Sequence, residues 1–162
     1  RIHAQVPHTG EIVIHNRSHY EDVLVPGVNG WIDKSVLAQR MAQINDFERL
    51  LTETGTVVMK FMLHISKDEQ RKRLQARIDD PTKRWKFNPS DLDARKHWDE
   101  YQAMYDQVLR ATSTAWAPWT VVPANSKTHR NLMIATLVRD RLKALPLRYP
   151  PGDAGLSKLV VS

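Results

Sequence analysis

Thr56-Val-Val-Met-Lys-Phe-Met-Leu-His-Ile65, running directly into Ser66-Lys-Asp-Glu69, is the passage on which the fold turns. The first part is apolar nearly throughout, the pattern of a strand covered on both faces in a parallel sheet. The second part is a capping box. Its Ser can accept from the amide three residues on, and its Glu can reach back to the Ser amide. A buried strand that passes straight into a capped helix is half of a strand-helix-strand unit. The helix should run to about Asp79, with Pro81 as its stop.

Upstream of this passage, Leu37, Met41, Ile44, Phe47 and Leu51 recur in steps of three and four, predicting an amphipathic helix from Asp33 to Thr54. Gly55 stands where a helix C-cap belongs. Earlier still, Glu11-Ile-Val-Ile-His15 suits a short buried strand. Downstream, Ser90-Asp-Leu-Asp93 opens a helix with Trp98, Tyr101, Tyr105 and Val108 along one face. Trp119-Thr-Val-Val122 reads as a strand, and Lys127 to Leu145 as a last helix with Leu132 and Leu142 among its apolar positions. Residues 149–162, with Pro150, Pro151, Gly152 and Gly155, read as an irregular tail.

This order predicts an α/β fold, a parallel sheet flanked by helices, in one domain over residues 1–148. Ligands of such sheets bind beyond the carboxyl ends of the strands. Those ends are Asn16-Arg17, His64-Ile-Ser66 and Pro123-Ala-Asn125, and polar or basic residues follow each of them.

The 162 residues, 41% hydrophobic and 26% charged, are enough for a real core and unlike a disordered chain. No apolar run approaches bilayer length, so no membrane partner is expected. The absence of cysteine excludes disulfides and thiolate metal sites and fits a cytoplasmic location. A net charge of +6 favours phosphate-rich partners.

Two segments could carry chemistry. In Asn16-Arg17-Ser18-His19-Tyr20-Glu21, an amide or carboxylate at a strand end can hold a metal-bound water, and Arg17 can neutralise a phosphoryl oxygen. A loop with a simple ion pair would look the same. His15 and His19 stand four apart, but passage from strand to loop does not place them on one face for a metal. The second segment, Ser66 to Lys86, holds eight Lys or Arg against four acids. Glu69, Arg73 and Arg77 at four-residue spacing suit a salt-bridged solvent face. Lys83-Arg84-Trp85-Lys86 between Pro81 and Pro89 fits that account less well. Trp98, Tyr101 and Tyr105 read as core-facing. No Gly-x-x-x-x-Gly-Lys-Ser/Thr and no Gly-x-Gly-x-x-Gly occurs, so the chain has no phosphate-cradling loop of its own.

Ile14–Leu24, Ile44-Asn-Asp-Phe-Glu48, Lys60–Gln70, Asp80-Pro-Thr-Lys-Arg-Trp-Lys-Phe87, Trp98-Asp-Glu-Tyr101 and Thr112–Pro123 together resemble the family-2 polyphosphate kinases, in order and with that family's spacing. The resemblance implies a P-loop kinase fold similar to thymidylate kinase, with a helical lid over about residues 66–100. It implies phosphoryl transfer between inorganic polyphosphate and AMP, ADP or ATP, with Mg2+. Asn16, Arg17 and Glu21 would be catalytic residues in the Walker B region, with Asn16 and Glu21 at the metal. Arg17, Tyr20, Lys83, Arg84 and Lys86 would bind phosphate or nucleotide. Asn-Arg-Ser rather than Asp-Arg-Ser marks the subgroup associated with AMP as well as ADP.

The resemblance also implies a dimer or tetramer. It places the family's Walker A loop upstream of the residue matching Arg1, so the fold is expected to be incomplete at its N-terminus and to expose apolar surface. Val25-Pro-Gly-Val-Asn-Gly-Trp31 replaces a stretch that usually carries an Arg, so a basic contact is expected to be missing there. The rival readings are an ATP-dependent nucleoside monophosphate kinase, a nucleic-acid-binding basic module and a catalytically inactive partner subunit. Nucleic acid is disfavoured because Asp91, Asp93, Asp99 and Glu100 interrupt the basic track.

Overall fold

Among the described residues, two parallel strands form the sheet. β1 (Lys60–His64) pairs with β2 (Trp119–Pro123), from Lys60 opposite Trp119 to His64 opposite Pro123. The computed structural model describes residues 2–149, 151–153 and 155, so most of the expected tail lies outside the described residues. The helices are α1 (Glu21–Val28), α2 (Lys34–Glu53), α3 (Lys67–Asp79), α4 (Ser90–Lys96), α5 (Trp98–Thr112) and α6 (Lys127–Lys143). Short 3-10 turns occupy Ile2–Gln5 and Arg84–Lys86. This is the expected α/β class.

Local chemistry explains most element ends. Asp33 caps α2 by accepting from the Val36 amide at 2.8 Å. Gly55 follows α2 at φ +95°, a left-handed conformation that suits glycine. Ser66 caps α3, accepting from Glu69 N at 3.1 Å, and Ser126 caps α6 through His129 N. The α3 capping box is only half formed. Glu69 turns to Arg73 instead, and the Ser66 amide donates to Asn125 Oδ1 at 2.9 Å.

The structure corrects four expectations. Glu11–His15 joins no ladder among the described residues, and Ile12 and Ile14 are 71% and 89% exposed. A strand needs a hydrogen-bonded neighbour, and none is described beside this run. The strand expected over 56–65 is shorter, because its ladder begins only where Lys60 meets Trp119. It is also not covered on both faces, since Leu63 and Val121 are exposed. The single helix expected from Ser90 is two, α4 and α5, separated at His97 with φ −90° and ψ 28°. At its start Asn88, rather than Ser90, supplies the acceptor, taking a bond from Ser90 N. Finally, α1 lies where a loop was expected.

The core sits where α1, α2 and α5 meet, around Val23, Leu37, Met41, Ile44 and Val108, with Tyr20 at its edge. α1 packs on α5 at Gly27, where a β-carbon would fall 2.7 Å from Met104 Cε, the movable end of a flexible side chain. α3 and α4 form a helical hairpin beside the sheet. Arg95 donates to the Lys67 carbonyl at 2.7 Å and to Gln70 Oε1 at 2.9 Å, binding the two helices together.

Candidate functional site

Asn16, Arg17 and Glu21 occupy the turn that enters α1. The Glu21 amide donates to Ser18 O at 3.1 Å, closing that turn. Arg17 faces Glu21 at 3.6 Å, with the Arg side chain 84% exposed. This separation is loose, so both groups keep capacity for a ligand. Glu21 also lies close enough to Tyr105 to help raise its hydroxyl pKa, after the larger effect of burial. The turn before α1 thus supplies an exposed guanidinium, an open carboxylate and an exposed amide.

Tyr20 differs from its neighbours. Its side chain turns into the protein, 4% exposed, and its hydroxyl donates to Glu48 Oε1 at 2.7 Å. Burial above all, with Glu48 beside it, drives the phenol well above its usual range, so it stays protonated. Its inward position leaves Tyr20 to hold the segment rather than to touch a phosphate.

The second group sits on the helical hairpin. Asp80 accepts from the Thr82 amide and hydroxyl and from Lys83 Nζ. Chiefly through Lys83, these bonds bring its carboxyl down to about 2. Arg84 Nε donates to the Ile78 carbonyl at 2.7 Å. Lys86 lies 5.0 Å over the ring of Trp85, which is 78% exposed. Lys83 and Arg84 are therefore partly engaged in fixing the loop, while Trp85 and Lys86 project from it. No hydrogen bond or ion pair among the described residues joins this group to Arg17 or Glu21.

A cavity of about 250 Å3 lies between the end of β1 and the helices α3, α4 and α5. Its walls include His64, Gln70, Trp98, Tyr101 and Tyr105, so the aromatics expected to face the core line this hollow instead. A second hollow, of about 350 Å3, opens at the carboxyl ends of β1 and β2 among His64, Ser66, Asn125 and His129. Polar groups beyond the strand ends are what an α/β ligand site requires.

Two networks were not foreseen. Arg73, expected in a solvent-facing salt bridge, bonds Glu69 at 2.7 Å and also donates to the carbonyls of Ala124 at 2.6 Å and Asn125 at 3.0 Å. It ties the hairpin to the end of β2. Deeper, Lys60 and Glu48 form a buried ion pair at 2.6 Å. The signal for the second was present in the sequence: Lys60 interrupts the most apolar strand in the chain, and Glu48 adjoins the apolar stripe of α2.

Among the described residues, no group of three or more His, Asp or Glu side chains could hold a metal ion. Magnesium is usually held by one or two carboxylates together with substrate phosphates and water. Asn16 and the open Glu21 carboxylate offer hard oxygens of that kind, so the residues present fit such an ion. No helix among the described residues is long and apolar enough to cross a membrane.

Comparison with known proteins gives one consistent answer. The family model described as Polyphosphate kinase 2 matches residues 1–148. An AMP/ADP-polyphosphate phosphotransferase of Meiothermus ruber is 48% identical over 161 residues, covering 99% of this chain and 60% of the relative. An ADP-polyphosphate phosphotransferase of Rhodopseudomonas palustris is 39% identical over 157 residues, covering 90% of this chain and 54% of the relative. The crystal structure of Polyphosphate Kinase 2 from Arthrobacter aurescens TC1 superposes with a TM-score of 0.93 at 47% identity, covering 97% of this chain and 56% of that one. The chain therefore spans little more than half the length of these relatives.

Proposed function

The chain belongs to the polyphosphate kinase 2 family, and from that premise we propose that its protein transfers phosphoryl groups between inorganic polyphosphate and adenine nucleotides, with AMP or ADP as acceptor. The observation that carries this reading is the family match over residues 1–148, which takes in both cationic segments. The 48% identity to a relative named for AMP and ADP supports the acceptor class.

Phosphoryl transfer needs donor and acceptor held in line and the charge on the transferred group neutralised. In this reading Arg17 bonds a phosphoryl oxygen, its planar fork suiting that geometry. α3 and α4 form the lid, and Lys83, Arg84 and Lys86 close over the phosphates. Asn16 and Glu21 would hold Mg2+, which when bound neutralises phosphate charge. No covalent intermediate on the protein is required. Work on nucleotides fits a cytoplasmic location, and assembly into a dimer or tetramer belongs to the same reading.

The test is formation of ADP from AMP and of ATP from ADP, resolved by chromatography, with polyphosphate and magnesium, run beside AMP with ATP as the phosphoryl donor. Product from polyphosphate is expected. Turnover with ATP as donor and none with polyphosphate would instead make the protein a nucleoside monophosphate kinase. Charge reversal at Lys83 and Arg84 is expected to weaken polyphosphate binding at least tenfold or so, since opposed charges replace paired ones. Unchanged binding would remove these residues from the site.

A further inference from the structure

Glu48 is 1% and Lys60 7% exposed, and both contact Tyr20, a member of the apolar core. Lys60 Nζ has three protons and places each one: on Glu48 Oε2 at 2.6 Å, on the Tyr20 hydroxyl at 2.9 Å and on the Thr112 carbonyl at 2.7 Å. Glu48 Oε1 accepts from Tyr20 at 2.7 Å and lies 3.3 Å from His19 Nε2. The ammonium also lies 5.3 Å from the Tyr20 ring and 5.1 Å from that of Trp119. One ion pair thus joins α2, β1, the end of α5 and the entry to α1.

A buried ion pair is seldom better for stability than apolar side chains of similar volume. The neighbouring core is apolar, so such packing was available here. What the pair adds is direction. Its bonds fix the positions of His19 and Tyr20, whereas apolar contacts would let them slide. Tyr20 in turn starts α1, its carbonyl accepting from Leu24 N at 3.0 Å, and the turn closed by Ser18 and Glu21 carries Arg17.

We infer that Glu48 and Lys60 are positioning residues for the Asn16–Glu21 segment, acting through Tyr20 and His19. For its consequence in turnover the inference rests on the phosphotransferase reading above. It assigns the brace no contact with substrate.

The experiment compares Tyr20→Phe and Glu48→Gln with Ile44→Val, a change in the same core that leaves the network intact. Amide hydrogen exchange is read first. Exchange at Glu21 to Leu24 should rise about tenfold in the two network variants, with α2 and α6 little altered, while Ile44→Val shows no such confined rise. Turnover with polyphosphate is read second, well below each variant's melting temperature. There kcat should fall about tenfold with the nucleotide KM nearly constant, the signature of misplaced transition-state contacts rather than lost binding.

Protection at Glu21 to Leu24 equal to that in Ile44→Val would overturn the inference, and so would an unchanged kcat in an active parent. If the parent shows no turnover, the phosphotransferase reading falls. The exchange data then decide the brace alone: a confined rise supports it, and no rise overturns it.

Discussion

Lys60 interrupts the apolar run of residues 56–65 and opens β1, and removing its partner should show how much that interruption matters. Glu48→Ala leaves an uncompensated ammonium in the core and is expected to cost about 3–5 kcal/mol in urea unfolding. Lys60→Met combined with Glu48→Gln should lose clearly less than the sum of the single changes, because neither charge is then stranded. The pair also gives stability a pH dependence. Burial pushes the Glu48 carboxyl up, but bonds from His19, Lys60 and Tyr20 outweigh it and hold the group below its ordinary value. A depressed carboxyl contributes fully above its unfolded pKa of about 4.3, and the contribution is lost as pH falls through the folded value. Melting temperatures followed from pH 6 down to pH 3 should therefore fall less steeply in Glu48→Gln than in the parent. Residue type and a polar surrounding were enough to make Arg17 a candidate, whereas Glu21 entered through the family resemblance. Glu48 and Lys60 were not announced, because their pairing joins residues from separate elements that only the fold brings together.

Among the elements, the helices with good caps were the legible ones. α2 and α3 lie within a residue or so of their expected ends, because Asp33, Gly55 and Ser66 state those ends in local chemistry. α1 was not foreseen: Pro26 and Gly27, residues that usually break helices, sit inside this short helix packed on α5. The hairpin of α3 and α4 depends on long-range ties, so its attachment is open to test. Arg73→Ala removes the bonds to the Ala124 and Asn125 carbonyls and is expected to destabilise by about 1.5–3 kcal/mol. Hydrogen exchange should place the loss in the first turns of α3, with α2 unaffected. A uniform rise across the chain would instead mean that Arg73 supports the whole fold.

For the molecule as a whole, the alternation of strands and helices was enough to give the α/β class, but not the number of strands. Glu11–His15 has the composition of a strand and takes no part in the sheet, since pairing is a property of neighbours and not of the segment. Net charge acts at this scale too. With +6 overall and its cations largely at the surface, the protein should bind polyphosphate less tightly by an order of magnitude or so as salt rises from about 0.05 to 0.5 M. Titration at several salt concentrations checks this, and salt-independent binding would point to a contact that is not ionic.

The exposed apolar side chains of Ile12, Ile14 and Leu63 have a consequence for handling this chain. Apolar strips open to water offer a surface on which a second copy can pack. Encounters between such strips scale with the square of the concentration, so dilute stocks should keep their clarity while concentrated ones turn turbid. Light scattering against time at a series of concentrations would display that order, and a charged residue at Ile14 should lengthen the lag.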